Sequence, residues 1–165
     1  MSNGYNYTYN SDTGEITAMA IGVKVKKLHE KAVIPQYAKE GDAGLDLVAT
    51  ELDLPTSGKY IQYHTGLAFE IPEGYVGLLF SRSSVSKKDL MLKNAVGVID
   101  SGYRGEVCLR FQVTGLNKLG KNIYKVGEKI GQIIIMPIPQ IKLVEVDELN
   151  DSDRGEGGFG STDKK

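Results

Sequence analysis

Asp100 ends an apolar run in Gly97-Val98-Ile99-Asp100-Ser101-Gly102-Tyr103-Arg104-Gly105-Glu106, and no other carboxylate in the chain is so suggestively placed. The run turns through Ser-Gly and resumes as a strand, which reads as a β-hairpin with Asp100 at its mouth. A carboxylate held on a rigid hairpin can orient and deprotonate a water. The plainer alternative is an aspartate that caps a turn, and for this segment alone that is the commoner case. Tyr103 either fills the core or walls a pocket.

Four further segments carry groups suited to a phosphorylated ligand. Ser81-Arg82-Ser83-Ser84 lies between a strand and a short helical stretch. There, helix-start amides, hydroxyls and a guanidinium can hold phosphate, or simply form a cap beside a solvated arginine. In Asp42-Ala43-Gly44-Leu45-Asp46-Leu47, Asp46 sits between two leucines and by alternation faces away from them. Such a residue is usually a solvated outer-face charge; otherwise it holds a metal-bound water. Gln132 interrupts the apolar run Lys129-Ile130-Gly131-Gln132-Ile133-Ile134-Ile135 and needs a hydrogen-bond partner, in the core or on a ligand. The last dozen residues include Arg154-Gly155-Glu156-Gly157-Gly158-Phe159-Gly160-Ser161-Thr162-Asp163. Glycines let a backbone approach an anion, Arg154 can grip phosphate oxygens bidentately, Ser161 and Thr162 add hydroxyls, and Phe159 offers a face for stacking a base. A frayed terminus is the competing reading. There is no P-loop, Gly-x-Ser-x-Gly elbow or His-Glu-x-x-His helix.

The elements that must position these groups are mostly short strands. Apolar runs broken by Gly, Pro, Asp and Asn predict strands over 21–28, 44–49, 59–63, 66–71, 75–81, 95–100, 105–113, 130–138 and 141–147. Only Ser83 to Leu90 reads as helical, with Ser83 or Ser84 as its cap. Residues 1–20 form a polar extension in which Tyr5, Tyr7 and Tyr9 alternate. They lack apolar partners, which favours a loose segment over a short edge strand. Residues 115–121 read as a surface loop. The expectation is an all-β domain of sandwich, jelly-roll or barrel type.

Composition narrows the function classes. The 165 residues suit one domain, and a formal net charge of −1 with 25% charged residues argues against a general nucleic-acid or membrane-surface binder. No apolar run approaches a membrane span, and the first residues show no signal peptide. A single cysteine, Cys108, fits a reducing cytoplasm. With one Cys and two His, a Cys/His zinc site is not expected, so any metal should be a hard ion held by oxygens.

Taken in order, the five segments resemble the five motifs of the trimeric dUTP pyrophosphatases (dUTPases) over roughly residues 22 to 163. These are Ala43 to Leu47, Ser81 to Ser84, Asn94 to Gly105, Gly127 to Gln132, and Arg154 to Thr162. The resemblance implies a single jelly-roll domain over 21–150, an extension over 1–20 and a flexible C-terminal arm over 151–165 that closes the active site. It implies a homotrimer with active sites at subunit interfaces, and hydrolysis of dUTP to dUMP and pyrophosphate with Mg²⁺. Carried over by position, Asp100 is the general base. Gly97, Val98 and Ile99, with the strand near Cys108, line the uracil pocket, Asn94 bonds the base, and Tyr103 packs on the deoxyribose. Arg82, Ser83, Ser84 and Gln132 hold phosphates, and Asp46 acts through metal-bound water. Arg154, Gly160, Ser161 and Thr162 close over the γ-phosphate while Phe159 covers the uracil.

Two positions depart from the pattern: Ser81 stands where motif two usually begins with proline, and Asp163 replaces the customary final glycine. Two alternatives stand beside this reading. One is a dCTP deaminase or bifunctional deaminase–dUTPase of the same superfamily. The other is a catalytically silent nucleotide-binding protein.

Overall fold

Alternation along the apolar runs decides which residues turn inward, and the strands that result stack into a sandwich. The computed structural model describes residues 7–9, 11–14, 16–18, 20–55, 58–114 and 122–157. In chain order its strands are β1 (Tyr7–Tyr9), β2 (Ile16–Ala18), β3 (Lys24–Lys27), β4 (Leu45–Val48), β5 (Glu51–Asp53), β6 (Ile61–His64), β7 (Leu67–Glu70), β8 (Tyr75–Phe80), β9 (Leu90–Leu92), β10 (Gly97–Ile99), β11 (Cys108–Val113) and β12 (Lys129–Pro137). One antiparallel sheet runs β10-β8-β12-β4 and a second β5-β6-β11-β9, with β3 paired to β7 and β1 to β2. The result is the all-β, jelly-roll-type fold expected from the sequence.

The core lies between the two four-stranded sheets. Leu47, Leu79 and Ile133 come from one, and Ile61, Tyr63, Leu109 and Phe111 from the other, all buried. Tyr63 meets Phe111 and Tyr124 edge-on at ring-centroid distances of 5.7 and 6.1 Å, geometries the aromatic quadrupole favours. The Tyr63 hydroxyl donates to the Tyr124 carbonyl at 2.9 Å, so its polar end is satisfied inside the core. Burial pushes the Tyr63 phenol up to about 12.

Several expectations change. The stretch 141–147 forms no strand: residues 138–150 run without a ladder, and Ile141, Leu143, Val144 and Leu149 stay highly exposed. A strand-like sequence needs an edge to pair with, and among the described residues this segment pairs with none. The expected helix over 83–90 is a 3₁₀ turn, Ser83–Lys87, entered through Arg82 with no side-chain cap. Its expected end belongs instead to β9, where Leu90 and Leu92 point inward on either side of exposed Met91. The N-terminal segment is not loose throughout, since Tyr7–Tyr9 pairs with Ile16–Ala18 and so finds its partner strand locally.

Candidate functional site

Asp100 stands where one sheet hands the chain to the other. β10 pairs along one side with β8, through Gly97↔Leu79 to Ile99↔Gly77, and is the edge strand of its sheet. Gly77 makes room for this pairing: a Cβ there would meet Ile71 Cδ1 at 2.8 Å and Ile99 Cβ at 3.2 Å. The chain then reverses, with the Tyr103 amide donating to the Asp100 carbonyl at 3.0 Å. Here the sequence reading needs correction, because the two limbs do not pair as a hairpin. The second limb becomes β11, which pairs with β6 and β9 in the other sheet. The limbs splay apart because each follows its own sheet, and a cavity of about 690 Å³ opens beside them.

Asn94, Val98, Ile99, Asp100, Tyr103 and Cys108 line that cavity, so the structure brings together the residues to which the resemblance gives the general base and the base and sugar contacts. Gly97 is buried behind it, where a Cβ would stand 3.0 Å from Leu79 and 3.3 Å from Asn94 Nδ2. Ala95, between Asn94 and the strand, holds a left-handed backbone at φ 57°, a conformation that non-glycine residues adopt only under constraint. Tyr103 folds back over Gly105, and its hydroxyl donates to the Glu106 carbonyl at 3.0 Å. A Cβ at residue 105 would run into the Tyr103 ring.

The far limb is fastened to the core. The Thr65 hydroxyl donates to the Val107 carbonyl at 2.6 Å, the Val107 amide to the Leu67 carbonyl at 2.8 Å, and the Gly66 amide to Glu106 Oε1 at 2.7 Å. These bonds fix where Cys108 begins its strand. Among the further lining residues that sequence reasoning passed over are Gln62, His64, Glu106 and Arg110. The register of β6 against β11, with Cys108 opposite His64 and Arg110 opposite Gln62, brings them there.

The phosphate-type residues form a second cluster. Arg82 donates through Nε to Asp46 Oδ1 at 2.7 Å and through Nη2 to Oδ2 at 3.4 Å, and Lys129 reaches Oδ2 at 2.9 Å. Asp46 is thus no solvated outer-face charge. Partial burial works to raise its pKa, but hydrogen bonds and charge from Lys129 and Arg82 outweigh this and hold it below the usual carboxylate value. Arg82 also lies 3.5 Å from Ser84 Oγ, while Ser83 is exposed at the start of the 3₁₀ turn. That turn is too short to build a helix dipole, so a phosphate grip here rests on side chains and loop amides. Gln132 Nε2 donates to the Ser81 carbonyl at 3.1 Å, satisfying the polar group that interrupts β12.

Arg82, Ser83, Ser84, Gln132 and Arg154 do not line the cavity beside Asp100. Arg154 sits in a turn on the exposed C-terminal segment, donating through Nε to the Gly157 carbonyl at 3.0 Å. Phe159, Gly160, Ser161 and Thr162, along with the 115–121 loop, lie outside the described residues. Among the described residues, no helix is long and apolar enough to cross a membrane.

Comparison with known proteins fits this arrangement. The dUTPase family model matches residues 30–163. A deoxyuridine 5'-triphosphate nucleotidohydrolase of Alkaliphilus metalliredigens is 40% identical over 146 residues, covering 87% of this chain and 98% of its own length. That of Clostridioides difficile is 42% identical over 143 residues, covering 85% and 96%. Among solved structures, the dUTPase of Staphylococcus bacteriophage 80alpha with dUPNHPP superposes with a TM-score of 0.72 at 32% identity, covering 86% of this chain and 98% of its own. A mutant dUTPase from phage phi11 of S. aureus, described with a structural Mg(II) ion, gives 0.64 at 28% identity over 78% and 98%. Neither the deaminase nor the silent binder finds support in these relatives. The chain belongs to the dUTPase family and is a nucleotidohydrolase that converts dUTP to dUMP.

Proposed function

We propose that the cavity beside Asp100 holds the deoxyuridine and that Asp100 is the general base for the water attacking the α-phosphorus. The observation that carries this reading is the edge position of β10 at the cavity wall. An edge strand presents a row of outward backbone donors and acceptors, and a uracil can be read by them much as a ladder partner would be. Val98 and Ile99 supply that edge, with Gly97 behind them, Cys108 opposite and Asn94 beside them. Tyr103, braced by Gly105 and Glu106, stacks against the sugar. Asp100, exposed at the turn, faces the position where the triphosphate leaves the pocket.

The phosphates fall to Arg82, Ser83, Ser84 and Gln132, with Arg154, Gly160, Ser161 and Thr162 closing over them and Phe159 covering the base. Among the described residues, Arg82, Ser83, Ser84, Gln132 and Arg154 do not line the Asp100 cavity, so a neighbouring subunit brings them. The exposed apolar segment from Ile138 to Leu149 supports a homotrimer, because its side chains await a surface and its backbone a sheet edge. With interface sites, base pocket and phosphate cluster come from different copies.

The hard-oxygen chemistry of a triphosphate suits Mg²⁺, which when bound neutralises charge on the leaving pyrophosphate. Asp46 is already held by Arg82 and Lys129, which fits contact through water rather than direct ligation. Arg82 is in turn aimed by Asp46 and stabilises developing charge. Asp100 positions the water and takes its proton.

Pyrophosphate release from dUTP, dCTP, dTTP and UTP tests the substrate, and Asp100→Asn tests the base. The variant is expected to fold and bind dUTP while kcat falls by about 10²-fold or more. Turnover that survives the substitution removes Asp100 from the role, and ammonia from dCTP would overturn the substrate assignment.

A further inference from the structure

One wall of the cavity carries a side-chain cluster in which only Cys108, as part of the base-pocket lining, has a place in the reading of dUTP hydrolysis given above. His64 Nδ1 lies 2.8 Å from Glu106 Oε2 and 3.5 Å from Cys108 Sγ. The ligand-type atoms of these three residues all fall within 4.8 Å of one another. They come from β6, the loop leaving Tyr103, and the first residue of β11, three segments already fastened together by Thr65, Gly66 and Val107.

We propose that His64, Glu106 and Cys108 bind a borderline-soft divalent cation such as Zn²⁺, at a site separate from the Mg²⁺ that accompanies the triphosphate. Nitrogen, sulfur and carboxylate oxygen together are a zinc ligand set, and three protein ligands with one face on a cavity leave a position for water. Tetrahedral ligation at ordinary zinc bond lengths separates nitrogen from sulfur by about 3.6 Å and nitrogen from oxygen by about 3.4 Å. The first spacing is present within 0.1 Å or so of the observed 3.5 Å, and the second needs the Glu106 oxygen to withdraw by about 0.6 Å.

The surroundings favour this use. Glu106 Oε1 is occupied by the Gly66 amide, which turns Oε2 alone toward His64 and sets the carboxylate up as a monodentate ligand. On the far side of the ring, His64 Nε2 lies 2.9 Å from Asp53 Oδ2. A carboxylate at the non-ligating nitrogen is the usual companion of a metal-bound histidine; it places the ring proton on Nε2 and leaves Nδ1 for the metal. Gln62 Oε1 accepts from Arg110 Nε and its amide nitrogen also lies 3.0 Å from Nε2, so with the metal on Nδ1 it is the Asp53 carboxylate, and not this amide, that takes the ring proton. On binding, the cation replaces the Cys108 thiol proton, and any proton on His64 Nδ1, each released to solvent. One cysteine and two histidines discouraged this reading by count, but the fold gathers what the sequence separates, His64 and Cys108 lying 44 positions apart.

Metal-free full-length protein, titrated first with Co²⁺ and then with Zn²⁺, tests the site without using dUTP, so its outcome is independent of the catalytic reading. The expected result is one Co²⁺ per chain with a thiolate-to-metal charge-transfer band in the near ultraviolet, abolished by Zn²⁺. Because Cys108 is the sole cysteine, such a band identifies it. Zn²⁺ should also shield the wild-type thiol from iodoacetamide, a readout that requires no variant. Cys108→Ser should lose the band, and Asp53→Asn should keep it while weakening Zn²⁺ affinity about 10- to 100-fold. Co²⁺ bound without the band, a band that persists in Cys108→Ser, or unaltered alkylation at saturating Zn²⁺ would overturn the proposal.

Discussion

Gly44 offers a test of how the phosphate cluster is held, because its substitution should damage activity and spare the fold. Its backbone is not left-handed, so alanine is conformationally acceptable there. A Cβ would collide with the Gln132 amide oxygen and stand 3.0 Å from Gln132 Cδ. The obstacle is the end of a flexible side chain, which can swing away with little disturbance to the sheet, so Gly44→Ala should change unfolding free energy by less than about 1 kcal/mol. Swinging away breaks the Gln132 bond to the Ser81 carbonyl and removes the amide from the start of the Ser81–Ser84 segment. A neutral hydrogen bond is worth about 0.5–1.5 kcal/mol and one to a charged phosphate about 1.5–3. At about 1.4 kcal/mol per tenfold, kcat/KM for dUTP should fall roughly 10- to 100-fold. Initial rates of pyrophosphate release, with urea unfolding in parallel, measure the two effects separately. Gln132→Ala should produce the same loss, and the double variant should add little, since both remove one interaction. Full activity in Gly44→Ala, or losses that multiply in the double variant, would refute the reasoning.

Other expectations follow from burial and exposure. The Tyr63 phenol is raised from its usual 10 to about 12, so the native state keeps that proton longer than the unfolded chain. Its contribution is complete below pH 10 and lost between pH 10 and 12, about 2–3 kcal/mol in all. Urea midpoints across that range should therefore fall less steeply in Tyr63→Phe than in wild type, and identical slopes would contradict the assignment. Leu143 and Leu149 are 87% and 88% exposed, so replacing both with Glu should leave the far-ultraviolet spectrum intact while sedimentation shows the proposed homotrimer lost. A trimer that survives would mean the segment is not part of the interface. Removing residues 154–165 should leave a folded protein but lower kcat/KM by about 10²-fold or more, because the role proposed for the segment is closure rather than core. An unfolded product would refute that.

The sequence on its own reached the fold class and nearly all the long strands. Alternation over Val107, Leu109, Phe111 and Val113, or Ile133 and Ile135, is a local property that follows from a period of two. It reached the chemical segments as well, since their residue types are local too. It missed β1, β2, β5 and β9, three-residue strands whose existence depends on the neighbours they pair with. It assigned 141–147 to a strand on propensity alone, whereas a strand is a relation between two segments and one chain supplies only one of them.

Tertiary structure decided the rest. The limbs around Asp100 were expected to pair with each other, yet they pair with opposite sheets, and that divergence makes the cavity. Asp46 was legible as outward-facing but not as the anchor of Arg82 and Lys129, which lie 36 and 83 positions away. His64 and Glu106 carried no signal at all until the register of β6 on β11 set them beside Cys108. Local pattern determines what each short segment can become, while ion pairs, cavities and ligand sets depend on distances between segments that only the packed sheets settle.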